Sequence, residues 1–476
     1  MLGGKIVRLF DTNVQKLKYE VLKEVATLAF EDDLESGILD IPEKIAPGPE
    51  SNMRCCIYKE RAILNERVKI AMGGNKNNPN VIEVLNIACD ECPVTQFTVG
   101  PACRGCIAHR CENVCPRGAI SFVSHKAIID NKKCISCGKC LNACQYSAII
   151  KNVRPCENAC KVHAISMDEH KKANIDDSKC IGCGACVYQC PFGAVMDKSY
   201  ILEAINLLKD SNKVYAIIAP SIVGQFKNTN IGQVVSGLKK LGFYNVVEAA
   251  LGADMIAHKE SKELVEKKFL TSSCCPAFVT YIEKNFPDLI AHISHNLSPM
   301  AEIAKYIKRI HPHSKAIFIG PCIAKKGEAK KEKVKQYIDV VITFEELQAL
   351  FDSRNIKLSE LPTDLLDNAS YFGRIFARSG GLSEAVAEAL KEQGVTDFKA
   401  SPISCSGIQE CRVALLKASK GILEQNFIEG MACNDGCIGG PACLTHSPKD
   451  RKLVDDYGKE AMEKTIKDAI EILNFV

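Results

Sequence analysis

Residues 179–191 read KCIGCGACVYQCP, with cysteines at 180, 183, 186 and 190 and a proline after the last. Three thiols on one tight loop can grip three corners of a 4Fe-4S cube. Small residues between them let backbone amides approach the sulfides, and the fourth thiol serves the other cube of a pair. Cys134, Cys137, Cys140 and Cys144 repeat the spacing. Cys103, Cys106, Cys111 and Cys115 repeat it with two extra residues inside. CENVCPRGAI at 111–120 returns as CENACKVHAI at 156–165, an offset of 45, and Lys133–Cys140 returns as Lys179–Cys186, an offset of 46. Two copies of one bacterial-ferredoxin-like module therefore lie in tandem.

The crossing rule assigns the ligands. Cys103, Cys106 and Cys111 go with Cys144; Cys134, Cys137 and Cys140 with Cys115; Cys180, Cys183 and Cys186 with Cys160. Cys156 and Cys190 are left as the third and fourth ligands of a cluster without its own CxxC, because Ala148 and Lys151 stand where that pair should fall. One CxxC nearby is unassigned, Cys89 and Cys92. It is inferred to complete a fourth cluster. The alternative is a decayed site of free thiols, or a zinc ion.

The chain has 476 residues, 26 of them Cys, with 46% hydrophobic and 25% charged residues. Tight CxxC groups in a long chain argue for metal rather than disulfides. No apolar run is long enough for a membrane helix, and the opening MLGGKIVRLFDTN has no signal-peptide core. The expected compartment is the cytoplasm. A net charge of +4 gives no reason to invoke nucleic acid or membrane. Residues 101–190 carry 13 Lys/Arg against 7 Asp/Glu, which balances anionic clusters and could add a docking face for an acidic electron carrier.

Three regions follow. Residues 1–85, with helical spacing over Val14–Phe30 and Glu60–Met72, read as a small, mostly helical extension. Its segment 41–52 holds three prolines and reads as a connector. Residues 86–200 hold 16 cysteines and form the iron–sulfur region. Residues 201–476 alternate apolar runs (Val214–Ala219, Ala316–Ile319, Val340–Thr343) with amphipathic ones (Ile231–Leu241, Met300–Ile310, Leu382–Glu392), the mark of an α/β domain with largely parallel sheets. The fold class is thus multidomain α/β.

Three segments of the last region offer thiols from separate loops: TSSCCPAF at 271–278, IGPCIAKK at 319–326 and EGMACNDGCIGG at 429–440. Setting Cys274 aside, Cys275, Cys322, Cys433 and Cys437 suffice for one more cube. In order and spacing these segments resemble the three signature motifs of the FeFe-hydrogenases, over about residues 85–476. The resemblance implies an oxidoreductase that interconverts hydrogen with protons and electrons. Its cofactor would be an H-cluster: a 4Fe-4S cube joined to a diiron unit carrying CO, cyanide and azadithiolate. Cys275, Cys322, Cys433 and Cys437 match its ligands, Cys437 being the bridge. Cys274 matches the proton-delivering thiol, and Lys325 the lysine that holds a cyanide. Pro220, Ser221 and Met431 match residues lining the diiron unit. Glu260, Glu263 and Ser294 match the proton path, whose helix begins near Gly252–Asp254. Low-potential carriers such as ferredoxin and the hydrogenase maturation proteins are the implied partners.

Several positions depart from the best-studied branch. Gly320 stands for a methionine, Met300 for a glutamine and Phe278 for a tryptophan; Cys405, Cys411 and Cys443 are additional thiols. The set resembles the clostridial monomeric branch called group B. Two other readings share the cysteines: a non-catalytic cytosolic iron–sulfur assembly factor of the same fold, and a hydrogen sensor. A plain polyferredoxin would leave the α/β domain unexplained. Cys55 and Cys56 carry no assignment.

Overall fold

The computed structural model describes residues 9–51, 53–93, 95–210, 213–471 and 473. The extension forms the expected helices, Asn13–Phe30 and Ile57–Ala71. Thr12 caps the first: its hydroxyl accepts the Gln15 N–H, and the Gln15 side chain accepts the Thr12 N–H. Its buried face, with Leu17, Val21, Leu22 and Val25, packs on the helix Phe344–Ser353 of the last region. The segment read as a connector opens with a helical turn, Ile41–Ile45. Pro42 is tolerated there because a first-turn N–H has no helical partner. Asn52 lies outside the described residues.

Each iron–sulfur module is built from two short antiparallel ladders. In the first, Phe97–Val99 pairs with Ile149–Lys151, and Ile120–Val123 with Lys126–Ile129. In the second, Ile165–Met167 pairs with Ala173–Ile175, and the closing strand Val195–Asp197 pairs with Ile82–Val84. The modules follow each other in tandem, yet the second takes its opening strand from upstream of the first. The first is carried as an insertion within the second. This nesting brings the stretch after Val84, which holds Cys89 and Cys92, to the second module.

The last region has two parallel sheets. One runs in the order Asn245–Glu248, Val214–Ile218, Lys315–Gly320, Val340–Thr343; the other in the order Leu270–Thr271, Phe427–Met431, Pro402–Ser406. The central strands VYAII and KAIFIG are nearly continuous apolar runs because helices cover both faces. Ser221, Cys275, Cys322 and Cys433 all follow carboxyl ends of these strands, where open parallel sheets bind ligands. The helix Ala249–Lys267 packs against Pro299–Ile310. The approach is close at Gly252, where a Cβ would lie 2.1 Å from the Pro299 carbonyl oxygen.

One buried charge network joins the three regions. Lys18 Nζ, from the extension, meets Asp197 Oδ1 and Glu345 Oε2, both at 2.5 Å. Lys326 Nζ meets Asp197 Oδ2 at 2.8 Å and Glu346 Oε2 at 2.9 Å. Gln15 and Ser199 supply further bonds to Glu345 and Glu346. Burial opposes charge here, but the two lysines outweigh it and hold the Asp197 carboxyl well below its ordinary range. Removing one partner strands buried charge. Lys18→Met is therefore expected to destabilise the protein by about 3–5 kcal/mol, read as a lower midpoint of denaturant unfolding. An unchanged midpoint would show that the extension is held otherwise.

Candidate metal centre

Cys275 and Cys322 immediately precede the helices Pro276–Asn285 and Ile323–Glu328, while Cys433 and Cys437 flank the turn after the strand Phe427–Met431. The structure brings all four together. The Cys433 and Cys437 thiols each lie within electrostatic reach of Cys275 and Cys322. Burial, and then the neighbouring thiols, push Cys322 up to about 11 and Cys437 to about 12. Such thiols ionise only against a strong cationic partner, which suits an iron core. Among the described residues no three Cys, His, Asp or Glu side chains converge tightly enough for a single ion.

Beside these thiols is a cavity with nearly apolar walls, lined by Pro220, Ser221, Cys274, Lys325 and Met431. Lys325 Nζ is buried, 2.6 Å from Glu328 Oε2 and 3.3 Å from the Cys274 carbonyl. The Ser221 hydroxyl is buried with no hydrogen-bond partner. A buried ammonium and an unused hydroxyl fit a bound group that offers acceptors. Gly320, Met300 and Phe278 are closely packed. A Cβ at Gly320 would stand 2.7 Å from the Phe318 ring, and that ring itself lines the cavity together with Met300. Phe278 is fully buried and packs on Gly430, where a Cβ would lie 2.3 Å from the ring.

Glu260, Glu263 and Ser294 lie close together on the side of Cys274. Glu263 is bonded by Ser294 Oγ at 3.0 Å, Asn296 Nδ2 at 2.9 Å and the His295 N–H at 3.1 Å, with Lys267 at 2.8 Å. Burial pushes its carboxyl up, but Lys267 and these donors outweigh burial and lower it. Glu260 accepts from the Ser273 N–H and hydroxyl at 3.3 Å, while its second oxygen, on the side of Ser294, is buried without a partner among the described residues. Burial raises Glu260 to about 7, and the charge of Glu260 reaches the buried Cys274 thiol. Ser273 was not singled out in the sequence; its place beside Cys274 was the available signal. Asp254 is turned instead to Ser370, with Oδ1 at 2.5 Å from its hydroxyl, and burial raises it to about 8.

The accessory cysteines also assemble. Cys111 lies near Cys106 and Cys144, and Cys140 near Cys134 and Cys137. Cys103 packs into the same small core, and Cys115 shares a cavity with Cys134, Cys137 and Cys140. Cys180, Cys183, Cys186 and Cys160 group together, as do Cys89, Cys92, Cys156 and Cys190. The two modules correspond bond for bond. The Ala127 N–H donates to Cys103 Sγ at 3.4 Å, and the Ala173 N–H, 46 residues on, donates to Cys89 Sγ at 3.3 Å. Cys89 thus holds in the second module the place of Cys103 in the first. Cys156 lies near Cys186, and Cys183 near Cys275 and Cys433, so these sets lead to the cavity. Of the additional thiols, Cys405, Cys411 and Cys443 are buried, the first two in an apolar cluster, and Cys55 and Cys56 are exposed.

A family model described as "Iron only hydrogenase large subunit, C-terminal domain" matches residues 212–441. A 4Fe-4S dicluster domain matches 153–194 and a 4Fe-4S binding domain 127–150. The periplasmic Fe hydrogenase large subunit of Nitratidesulfovibrio vulgaris is 31% identical over 379 residues, 66% of this chain and 86% of the other. Iron hydrogenase 1 of Clostridium pasteurianum is 28% identical over 400 residues, 71% of this chain and 69% of the other. The cytosolic Fe-S cluster assembly factor NAR1 of Botryotinia fuckeliana is 34% identical, but over 142 residues, a quarter of each chain.

The raised Glu260 carboxyl is protonated below about pH 7 and ionised above it. Infrared spectra taken from pH 5 to 9 should therefore lose a carboxylic C=O band with a midpoint near neutrality. The Glu260→Gln protein should lack that band throughout. Asp254 should give its own band, with a midpoint near pH 8, which Asp254→Asn removes; a near-neutral band left unchanged by Glu260→Gln in that background would place the neutral acid elsewhere.

Proposed function

The chain belongs to the iron-only hydrogenase family, and we propose that it interconverts molecular hydrogen with protons and electrons at an H-cluster. The carrying observation is convergence: Cys274, Cys275, Cys322, Cys437 and Lys325 line one nearly apolar cavity, Cys433 lies within electrostatic reach of Cys275, Cys322 and Cys437, and the charge of Glu260 reaches Cys274. When bound, the cluster supplies the redox-active iron at which hydrogen forms or splits. Cys275, Cys322, Cys433 and Cys437 would hold its cube. Lys325, Ser221, Pro220 and Met431 would hold and enclose the diiron part, Lys325 through a charge-assisted contact in a water-poor site. Cys274 would exchange protons there. Glu260, with both protonation states populated near pH 7, would pass them through Ser294 to Glu263, whose contacts include the exposed His295. This path and Lys325 favour a hydrogenase over an assembly factor.

Residues 86–200 would serve as the electron relay, 201–476 as the catalytic unit and 1–85 as a brace. The basic first module, where Cys137 is exposed, suits entry of electrons from ferredoxin or a similar low-potential carrier. Maturation proteins would deliver the diiron unit, since side chains cannot supply its CO and cyanide. The Gly320–Phe318, Met300 and Phe278 substitutions support a place in the group B branch. We assign the protein to the cytoplasm; no described helix is long and apolar enough to cross a membrane.

The matching donor bonds of Cys89 and Cys103 support a fourth accessory cluster on Cys89, Cys92, Cys156 and Cys190. Five cubes would then carry about 20 iron atoms, and about 22 with the diiron unit. Cys89→Ala/Cys92→Ala should lower the iron count of reconstituted protein by about four atoms; an unchanged count would remove the fourth cluster. Cys274→Ala should reduce hydrogen evolution and uptake by at least about 100-fold with iron content unchanged. Loss of iron in that variant would instead make Cys274 a ligand.

A further inference from the structure

Two guanidinium groups are buried against the Cys89–Cys92–Cys156–Cys190 set, and among the described residues neither is paired with a carboxylate, although the half-buried Glu157 carboxylate also reaches Cys92 and Cys156. Arg154 is 3% exposed; its Nη1 lies 3.6 Å from Cys89 Sγ, and its Nη2 donates to the Lys171 carbonyl at 2.6 Å. Arg67 comes from the extension helix Ile57–Ala71 and is 2% exposed. Its Nη2 donates to the Phe192 carbonyl at 2.9 Å, and its charge reaches Cys190. The Nε of each is buried with no partner. Among the described residues neither forms an ion pair, whereas the neighbouring Arg54 pairs with Asp90 and Glu91. Unpaired buried charge is strongly disfavoured unless an anion sits beside it. A thiolate-ligated 4Fe-4S cube is such an anion, dianionic when oxidised and trianionic when reduced.

The other accessory sets lack this feature. The cations adjacent to them in sequence, Arg104, Arg110, Arg117, Lys133 and Lys179, are exposed, where water and salt screen them. The first-module counterpart of Arg154, by the offset of 45, is His109, which pairs with Glu112 and stacks on Phe122. The buried positive charge therefore belongs to one site of the four, and half of it is delivered by the N-terminal extension.

Resting on the reading that these four cysteines hold a cluster, we propose that Arg67 and Arg154 raise its reduction potential above those of the other accessory clusters. The fourth cluster then stores an electron beside the last step of the relay. Reduction adds negative charge, and fixed positive charge nearby stabilises the reduced form. The step is a one-electron transfer: the adjoining cube on Cys180, Cys183, Cys186 and Cys160 is oxidised as the fourth is reduced, and no bond or proton moves. Hydrogen formation needs two electrons while the relay passes them singly. A filled store next to that cube supplies the second without waiting for another carrier to dock.

The test is a redox titration of the reconstituted full chain followed by electron paramagnetic resonance, with iron quantified in each sample. In the wild type one accessory signal should appear at a higher potential than the rest. Arg67→Gln and Arg154→Gln should move that signal to more negative potential at full iron content, while Arg67→Lys and Arg154→Lys should hold it near the wild-type value. Full iron with every potential unmoved in the Gln variants would overturn the inference. If the Gln variants lose iron, Lys variants with full iron and the wild-type potential support the charge role. Loss of iron in the Lys variants as well would make the role one of packing and overturn it. Cys89→Ala/Cys92→Ala separates the two levels: unchanged iron and unchanged signals there would mean that the cluster itself is absent.

Discussion

Lys18, Asp197, Lys326, Glu345 and Glu346 come from three regions of the chain and meet with almost no exposure to water. Asp197 ends the closing strand of the second iron–sulfur module, and Lys326 lies on the helix that begins just after Cys322. Lys325, the preceding residue, faces the cavity. The network therefore ties the second iron–sulfur module to the short helix that follows Cys322, and Lys18 braces that joint from the extension. Buried ion pairs contribute little net stability compared with apolar packing, but a mismatched arrangement strands charge at high cost. Their effect here is to hold one relative placement of the modules, and with it the spacing from Cys156 through Cys186 and Cys183 to Cys275.

The metal centre combines features that would be unfavourable alone. Burial raises the Cys322, Cys433 and Cys437 thiols, a buried ammonium has one carboxylate close by, and a serine hydroxyl has no partner. Each deficit is of the kind that an iron cluster with acceptor ligands makes good. Glu260 and Glu263 show the complementary arrangement. Lys267 and several donors keep Glu263 low at the outer end, while burial lifts Glu260 toward neutrality at the inner end. Two carboxylates three residues apart on one helix thus acquire different protonation behaviour from their surroundings.

Much of this is legible in the sequence because cysteine spacing is local. The ferredoxin-like runs, the repeat offsets and the strands at 214, 315 and 340 could be read directly, since ligand geometry and apolar periodicity are short-range. Even the grouping of Cys89 and Cys92 with Cys156 and Cys190 follows from the repeat. The nesting does not: the pairing of Ile82–Val84 with Val195–Asp197 spans over a hundred residues, and a three-residue strand has no distinctive pattern. Arg67 and Arg154 were equally hidden. Their significance lies in missing carboxylates, which only the folded chain shows. The helix turn at Ile41–Ile45 was masked by its prolines, one of which sits where a helix accepts it.

The central claim is that this chain holds a diiron unit with CO and cyanide ligands beside Cys274 and Lys325. Infrared spectroscopy of protein loaded by the maturation proteins, or with a synthetic diiron precursor, tests it directly. The account predicts sharp CO and cyanide stretching bands after loading, absent from protein carrying cubes alone, and shifting when hydrogen is admitted. Cube-loaded protein that takes up the precursor without any bound CO or cyanide bands, while keeping its full iron–sulfur content, would contradict it.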